Sequence, residues 1–185
     1  FRGGKYKIMK TRDLTLTALF AAILCVAAPF SIPVGPIPIT LATFAIYLAA
    51  IVLGKKYGTL AVVIYILLGA VGLPVFSGFS GGFQKIVSAT GGYIIGYIPC
   101  AFIVGAMCEY GGNKKIYGIF GVILGTAVLY IIGTYWFMFV SGKELAYALG
   151  ACILPFIPGD IIKLIVAVVV GYKLKGYAIK DIGTC

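Results

Sequence analysis

The sequence predicts an all-α integral membrane protein, six transmembrane helices in one bundle with both termini cytoplasmic, and three observations carry that expectation. Hydrophobic residues fill 62% of the 185 positions and charged residues only 11%, far from the balance of an ordinary soluble domain. The apolar residues gather into runs of roughly 16 to 25, about the length a helix needs to cross a bilayer. Lys and Arg stand mostly between those runs and crowd alternate connections, which is how short loops record orientation.

Six spans can be drawn in order. The first, 14–30, is too long and too smoothly joined to the next segment to be a cleaved signal, so it is read as a span. The others are 37–53, 58–73, 91–108, 116–140 and 156–174. Pro and Gly punctuate them, in "PFSIPVGPIP", "LGKKYG" and "YGGNKKIYG", because neither residue continues a helix well. Residues 1–8 are expected to be a foreign remnant, an alternative start or a disordered N-terminus, 9–176 the membrane domain, and 177–185 a C-terminal tail. Lys and Arg of the N-terminal segment, Lys55, Lys56, Lys114, Lys115 and the lysines after residue 172 fall on one side. Lys85 and Lys143 fall on the other, with Lys163 near the outer end of the last span. The crowded side is expected to face the cytoplasm.

Other function classes drop out on composition. A net charge of +10 would suggest nucleic acid in a soluble protein, but here the charge lies where it sets orientation, and no nucleic-acid partner is expected. The five cysteines form no CxxC pair and the chain has no histidine; no metal or cofactor is expected, and Cys is read as a small apolar residue. The phosphate-cradling pattern GxxxxGK[ST] is absent, so no ATP site is expected.

Three stretches invite function. "ILPFIPGDIIKLIVAVVV" carries Asp160 and Lys163 three residues apart, one helical turn, so both side chains reach the same small volume. "PFIPG" places Asp160 near the helix N-terminus, where the dipole and free N–H groups favour an anion. One reading is a capping carboxylate with a lysine that snorkels outward. The other is a buried pair lining a cavity, as ionisable groups at membrane depth usually do; its ligand would be small, polar at specific points and otherwise apolar. The Gly-rich outer loop 77–92 mixes Phe79, Phe83, Gln84, Lys85 and Ile86, too apolar for a plain solvated linker and suited to lie over a pocket. Ala18 and Ala22, at i and i+4 in the first span, permit a close helix approach, either inside the bundle or to a partner helix.

Three motifs in order, "PIPITLATFAIYLAAIVLG", "GLPVFSGFSGGF" followed by "TGGYIIGY", and "PFIPGDIIKLIVA", together resemble BioY, the biotin-specific membrane component of energy-coupling factor (ECF) vitamin transporters. The resemblance runs from Leu14 to about Lys175. It implies a six-helix subunit, not an enzyme, in the prokaryotic cell membrane. Such a subunit captures biotin from outside and delivers it inward together with a transmembrane coupling protein and two cytoplasmic ATPases. By resemblance, Ala18 and Ala22 form the AxxxA motif that packs against the coupling protein. Asp160 and Lys163 match the last-helix motif as ligand residues: Asp160 accepts a ureido N–H, and Lys163 meets either the ureido carbonyl or the valerate carboxylate. Phe79, Gly82, Gln84 and Lys85, with Tyr93 at the entry to span four, are candidates for the lid and walls of the binding site, unless Tyr93 belongs to the interfacial aromatic belt.

Two positions depart from the family pattern: Ala42 stands where a glutamine is common, and "SATGGY" replaces GPTGGY. The first removes a polar side chain and keeps open a related subunit for another small vitamin. Two further rivals are an autonomous proton-coupled carrier using Asp160, and an intramembrane enzyme. The enzyme has only Glu144 as a second acid near the outer side and no histidine to work with.

Overall fold

The computed structural model describes residues 11–33, 36–112, 114–153 and 155–180. The expected N-terminal remnant, 1–8, and the last residues of the expected tail, 181–185, lie outside them. Seven helices run in the order α1 (Thr11–Ala27), α2 (Ala42–Val71), α3 (Phe83–Val87), α4 (Gly91–Tyr110), α5 (Lys115–Ser141), α6 (Leu145–Cys152) and α7 (Ile157–Lys180). Between α1 and α2 the chain forms a small antiparallel hairpin, β1 (Ser31–Ile32) and β2 (Ile39–Thr40), pairing Ser31 with Thr40 and Ile32 with Ile39. The structure is therefore mostly helical, with a two-stranded addition in the segment that the sequence assigns to a loop and to the start of span two.

Where the sequence predicts two spans, 37–53 and 58–73, α2 consists of two helical limbs that fold back on each other. The reversal is made by Gly54 alone, at φ 76° and ψ −174°, a backbone conformation costly for a residue with a Cβ. The limbs then touch: a Cβ at Gly58 would stand 2.8 Å from the Ala50 Cα. In a straight helix, residues eight apart are separated by roughly 12 Å. "LGKKYG" is thus not an open loop; helix resumes at Lys55.

Three helices, α2, α4 and α5, are each long and apolar enough to cross a membrane. α1 is shorter, at 17 residues, and α7 carries Asp160, Lys163, Lys173 and Lys175 among its 24. α7 also continues through Lys180, past the boundary at 176 drawn from sequence. The 77–92 and 141–155 connections are not plain loops either, because each contains a short helix, α3 and α6.

The first limb of α2 is the centre of the bundle. Every residue from Ala45 to Ile51 is buried, so it shows no single apolar face; α1, α4 and α7 pack against α2. The outward surface is apolar too: Leu19, Ile23, Phe120, Ile123, Ile131, Ile161 and Ile165 are all more than a third exposed. A surface of this kind suits a hydrocarbon solvent, not water.

The two ends of the bundle differ. At one end the Gly54 turn is pinned to α4, with the Lys55 N–H donating to Glu109 Oε1 at 2.9 Å and the Lys55 ammonium 3.4 Å from Oε2. The Tyr172 hydroxyl donates to the Lys114 carbonyl there, and Lys175 Nζ to the Cys108 and Gly112 carbonyls. At the other end the loops interlock: the Gly78 N–H donates to the Pro29 carbonyl at 3.0 Å, and the Phe79 ring meets Phe30 edge-on at 5.7 Å. Trp136 Nε1 donates to the Ser88 carbonyl at 3.0 Å.

Candidate functional site

α7 begins at Ile157 with Pro158 and Gly159 in its first turn, where the missing proline N–H would have no helical partner anyway. Asp160 comes next, its own N–H donating to the Phe156 carbonyl at 2.8 Å. One turn on, Lys163 places its ammonium 3.2 Å from Asp160 Oδ1, with both side chains nearly nine-tenths buried. Lys163 does not snorkel outward: it turns into the bundle and also donates to the Thr40 carbonyl at 2.8 Å and to Thr43 Oγ1 at 3.2 Å. Its three donors thus have three acceptors. The other oxygen, Asp160 Oδ2, accepts from the Tyr130 hydroxyl of α5. Each oxygen of the carboxylate has a donor, which offsets much of the cost of taking both charges out of water.

The pair forms part of the wall of a cavity of about 600 Å³, counting its open mouth. Ala28, Ile37, Tyr65, Phe76, Ile94, Leu129 and Phe156 make most of the apolar lining. The polar side chains of the lining are the hydroxyl-bearing Thr40, Thr43, Tyr65, Ser77, Thr90, Tyr93, Tyr97 and Tyr130, and the Asp160–Lys163 pair. The loop end contributes Ser77 and Phe76 from the 72–82 segment and Pro38 and Thr40 from the hairpin.

Tyr93 is buried in this wall, with its hydroxyl 3.5 Å from Thr134 Oγ1, so it does not lie in an outer aromatic belt. The "TGGY" stretch makes this possible: a Cβ at Gly92 would overlap the Trp136 Cβ, so α4 starts directly against α5. Phe79, Gly82, Gln84 and Lys85 do not line the cavity. Phe79 is exposed on the loop tip against Phe30. The Gly82 N–H donates to the Gly69 carbonyl at 2.7 Å, and Gln84 and Lys85 stand on α3. Ala42 does line it, and its N–H donates to Thr40 Oγ1 at 3.2 Å.

On α1 the inward face is Thr17, Phe20, Ala21 and Leu24. Ala18 and Ala22 are exposed, so internal packing uses the alanine between them. Thr40, Thr43, Tyr97 and Tyr130 escaped the sequence reading. For Tyr97 and Tyr130 the usable signal was a phenol within an apolar run, since a buried hydroxyl needs a partner.

Comparison with known proteins agrees with this architecture. Residues 4–179 match the BioY family. The chain is 43% identical to the biotin transporter BioY of Thermotoga maritima over 89% of this chain and 96% of the relative. It is 42% identical to the probable biotin transporter BioY of Pyrococcus horikoshii over 91% and 99%. Its backbone superposes on the crystal structure of the S-component for biotin from an ECF-type ABC transporter with a TM-score of 0.83 and 32% identity, covering 89% of this chain and 91% of that one. Because the match spans nearly the whole of this chain and of each relative, and holds in backbone as well as in sequence, the chain belongs to the BioY family.

Proposed function

We propose that this chain is the biotin-binding subunit of an ECF-type importer and that biotin occupies the cavity beside Asp160 and Lys163. The family consists of transporter components, not enzymes. The observation that carries the reading is the buried acceptor and donor side by side, Asp160 Oδ1 and Lys163 Nζ at 3.2 Å, in an otherwise largely apolar cavity. In a cyclic urea the two N–H bonds point away from each other, whereas each N–H lies next to the carbonyl. One ureido edge therefore offers a donor beside an acceptor and complements this pair. Asp160 accepts the N–H, and Lys163 turns from one of its two longer contacts, both 3.2 Å, to the ureido carbonyl. The apolar walls suit the thiophane ring and valerate chain, whose carboxylate then lies toward the Ser77 and Thr90 hydroxyls.

Counting the two limbs of α2 separately, α1, α4, α5 and α7 bring the passes to six. Lys55, Lys114, Lys115, Lys173 and Lys175 gather at the Gly54 end, which supports placing that end and both termini in the cytoplasm and the cavity toward the outside of the cell membrane. The loop carrying Phe79, Gly82, Gln84 and Lys85 then acts as a lid. The exposed Ala18 and Ala22 dock the coupling protein, which with two ATPases drives delivery inward.

Calorimetric titration of the purified protein with biotin tests the reading. Tight binding that is lost in Asp160→Asn and Lys163→Ala, with no response to thiamine or riboflavin, is the expected result. A folded wild type that ignores biotin and takes up another vitamin would overturn it. The methyl side chain of Ala42 at the cavity wall favours that second reading over the other rivals. Biotin accumulation driven by pH alone, in proteoliposomes holding only this chain, would point to a proton-coupled carrier instead.

A further inference from the structure

Asp160 lies on the walls of two cavities. The second is a groove of about 580 Å³ between α5 and α7, lined by Val122, Ile123, Ala127, Ile157, Ile161 and Leu164 with Thr126. Tyr130 and Asp160 are the residues it shares with the first cavity, so these two side chains form the partition. Ile123, Ile157 and Ile161 are exposed, so the groove opens on the apolar flank of the bundle. A carboxylate turned that way would meet little but hydrocarbon, because the Thr126 hydroxyl is 2.6 Å from the Tyr47 hydroxyl. An unpaired charge there is strongly disfavoured, yet a carboxylate held from one side only can rotate away from its ligand.

We propose, resting on the biotin reading above, that Tyr130 is the positioning residue of the site: its hydroxyl fixes the Asp160 carboxylate for the ureido N–H, and its ring closes the site against the membrane. Lys163 holds Oδ1 but is carried on the same helix three residues away. Tyr130 comes from α5 and holds Oδ2, so it alone ties the carboxylate to the neighbouring wall of the partition. A phenol has one proton, and here it is committed to Asp160. The hydroxyl's function and the ring's are separable, because phenylalanine keeps the ring.

The test uses the full chain in lipid nanodiscs and compares wild type, Tyr130→Phe, Tyr130→Ala and Asp160→Asn. The ligands are biotin and a biotin methylated on both ureido nitrogens. A hydrogen bond to a charged group corresponds to roughly a tenfold or larger effect on affinity, so Tyr130→Phe is expected to weaken biotin at least that much while its ligand-free melting temperature falls less than that of Lys163→Ala. The methylated compound offers Asp160 no N–H, so wild type and Tyr130→Phe should show the same weak or absent stabilisation by it. Tyr130→Ala should lose more biotin affinity than Tyr130→Phe. Biotin affinity in Tyr130→Phe within twofold of wild type, alongside loss in Asp160→Asn, overturns this inference alone. Equal weakening of both ligands overturns it too, by making Tyr130 merely structural. A folded wild type that does not bind biotin overturns the underlying reading, and this inference with it.

Discussion

Lys163 Nζ lies 2.8 Å from the carbonyl oxygen of Thr40, so one ammonium joins the last helix to the hairpin after the first. The same hairpin segment bears Pro29 and Phe30, which hold the tip of the 72–82 loop through Gly78 and Phe79. The ion pair at the cavity wall is therefore linked by direct contacts to both loops at that end.

Lys163→Ala is expected to cost stability as well as binding. It strands a nearly buried carboxylate, a change on the order of 3 kcal/mol or more, moderated by the Tyr130 bond. The melting temperature of the ligand-free protein should fall clearly, and adding Asp160→Asn to Lys163→Ala should restore part of it. A double variant less stable than the single one would show that the pair is not the coupled unit described.

Phe79→Ala should act on kinetics more than on fold. The ring is 62% exposed and its aromatic contact is with Phe30, so the ligand-free melting temperature should move little. If the loop is the lid, biotin should leave several-fold faster in a stopped-flow chase. An unchanged release rate would remove Phe79 from that role.

Gly92→Ala should destabilise by about 1–3 kcal/mol, as overpacking does in a tight core, because its Cβ would overlap the Trp136 Cβ. Trp136→Phe keeps that Cβ and should not rescue the variant. Trp136 is the single tryptophan, so its emission, read in Gly92→Ala, reports the displacement directly.

Glu109→Gln and Glu109→Ala separate two contributions at the Gly54 turn. Both side chains of the Lys55–Glu109 pair are about half exposed, so losing the charge alone, in Gln, should cost well under 1 kcal/mol. Alanine also removes the acceptor of the Lys55 N–H and should cost about 1 kcal/mol. Equal melting temperatures for the two variants would show that this acceptor contributes nothing.

Ala18→Leu with Ala22→Leu, on the exposed side of α1, should leave calorimetric biotin binding by the isolated subunit intact and reduce its co-purification with the coupling protein. Full co-purification would move the docking surface elsewhere.

Much of this was legible in the sequence because it depends on local spacing or bulk composition. Runs of apolar residues mark helices by length alone, and residues three apart share a helix face, which is why spacing pairs Asp160 with Lys163. Proximity to Asp160 was not legible in the same way. Tyr130 is 30 residues from Asp160 and Thr40 is 123 from Lys163, and no local pattern encodes which phenol or carbonyl a folded chain brings to a charge. The Gly-rich loop was legible only in outline: its composition suits a segment over a pocket, but does not reveal that Gln84 and Lys85 stand on a short helix, α3.

Composition, periodicity and motif were enough for the helical, lipid-facing character of the chain, its family and the turn of α7 that carries the ion pair. Long-range packing set the rest: that spans two and three join through a reversal at Gly54 with no loop between them, that Lys163 turns inward to Thr40 and Thr43, and that Tyr130 and Asp160 stand between two cavities. Those outcomes depend on how distant helices pack and on where each buried polar group finds its partner.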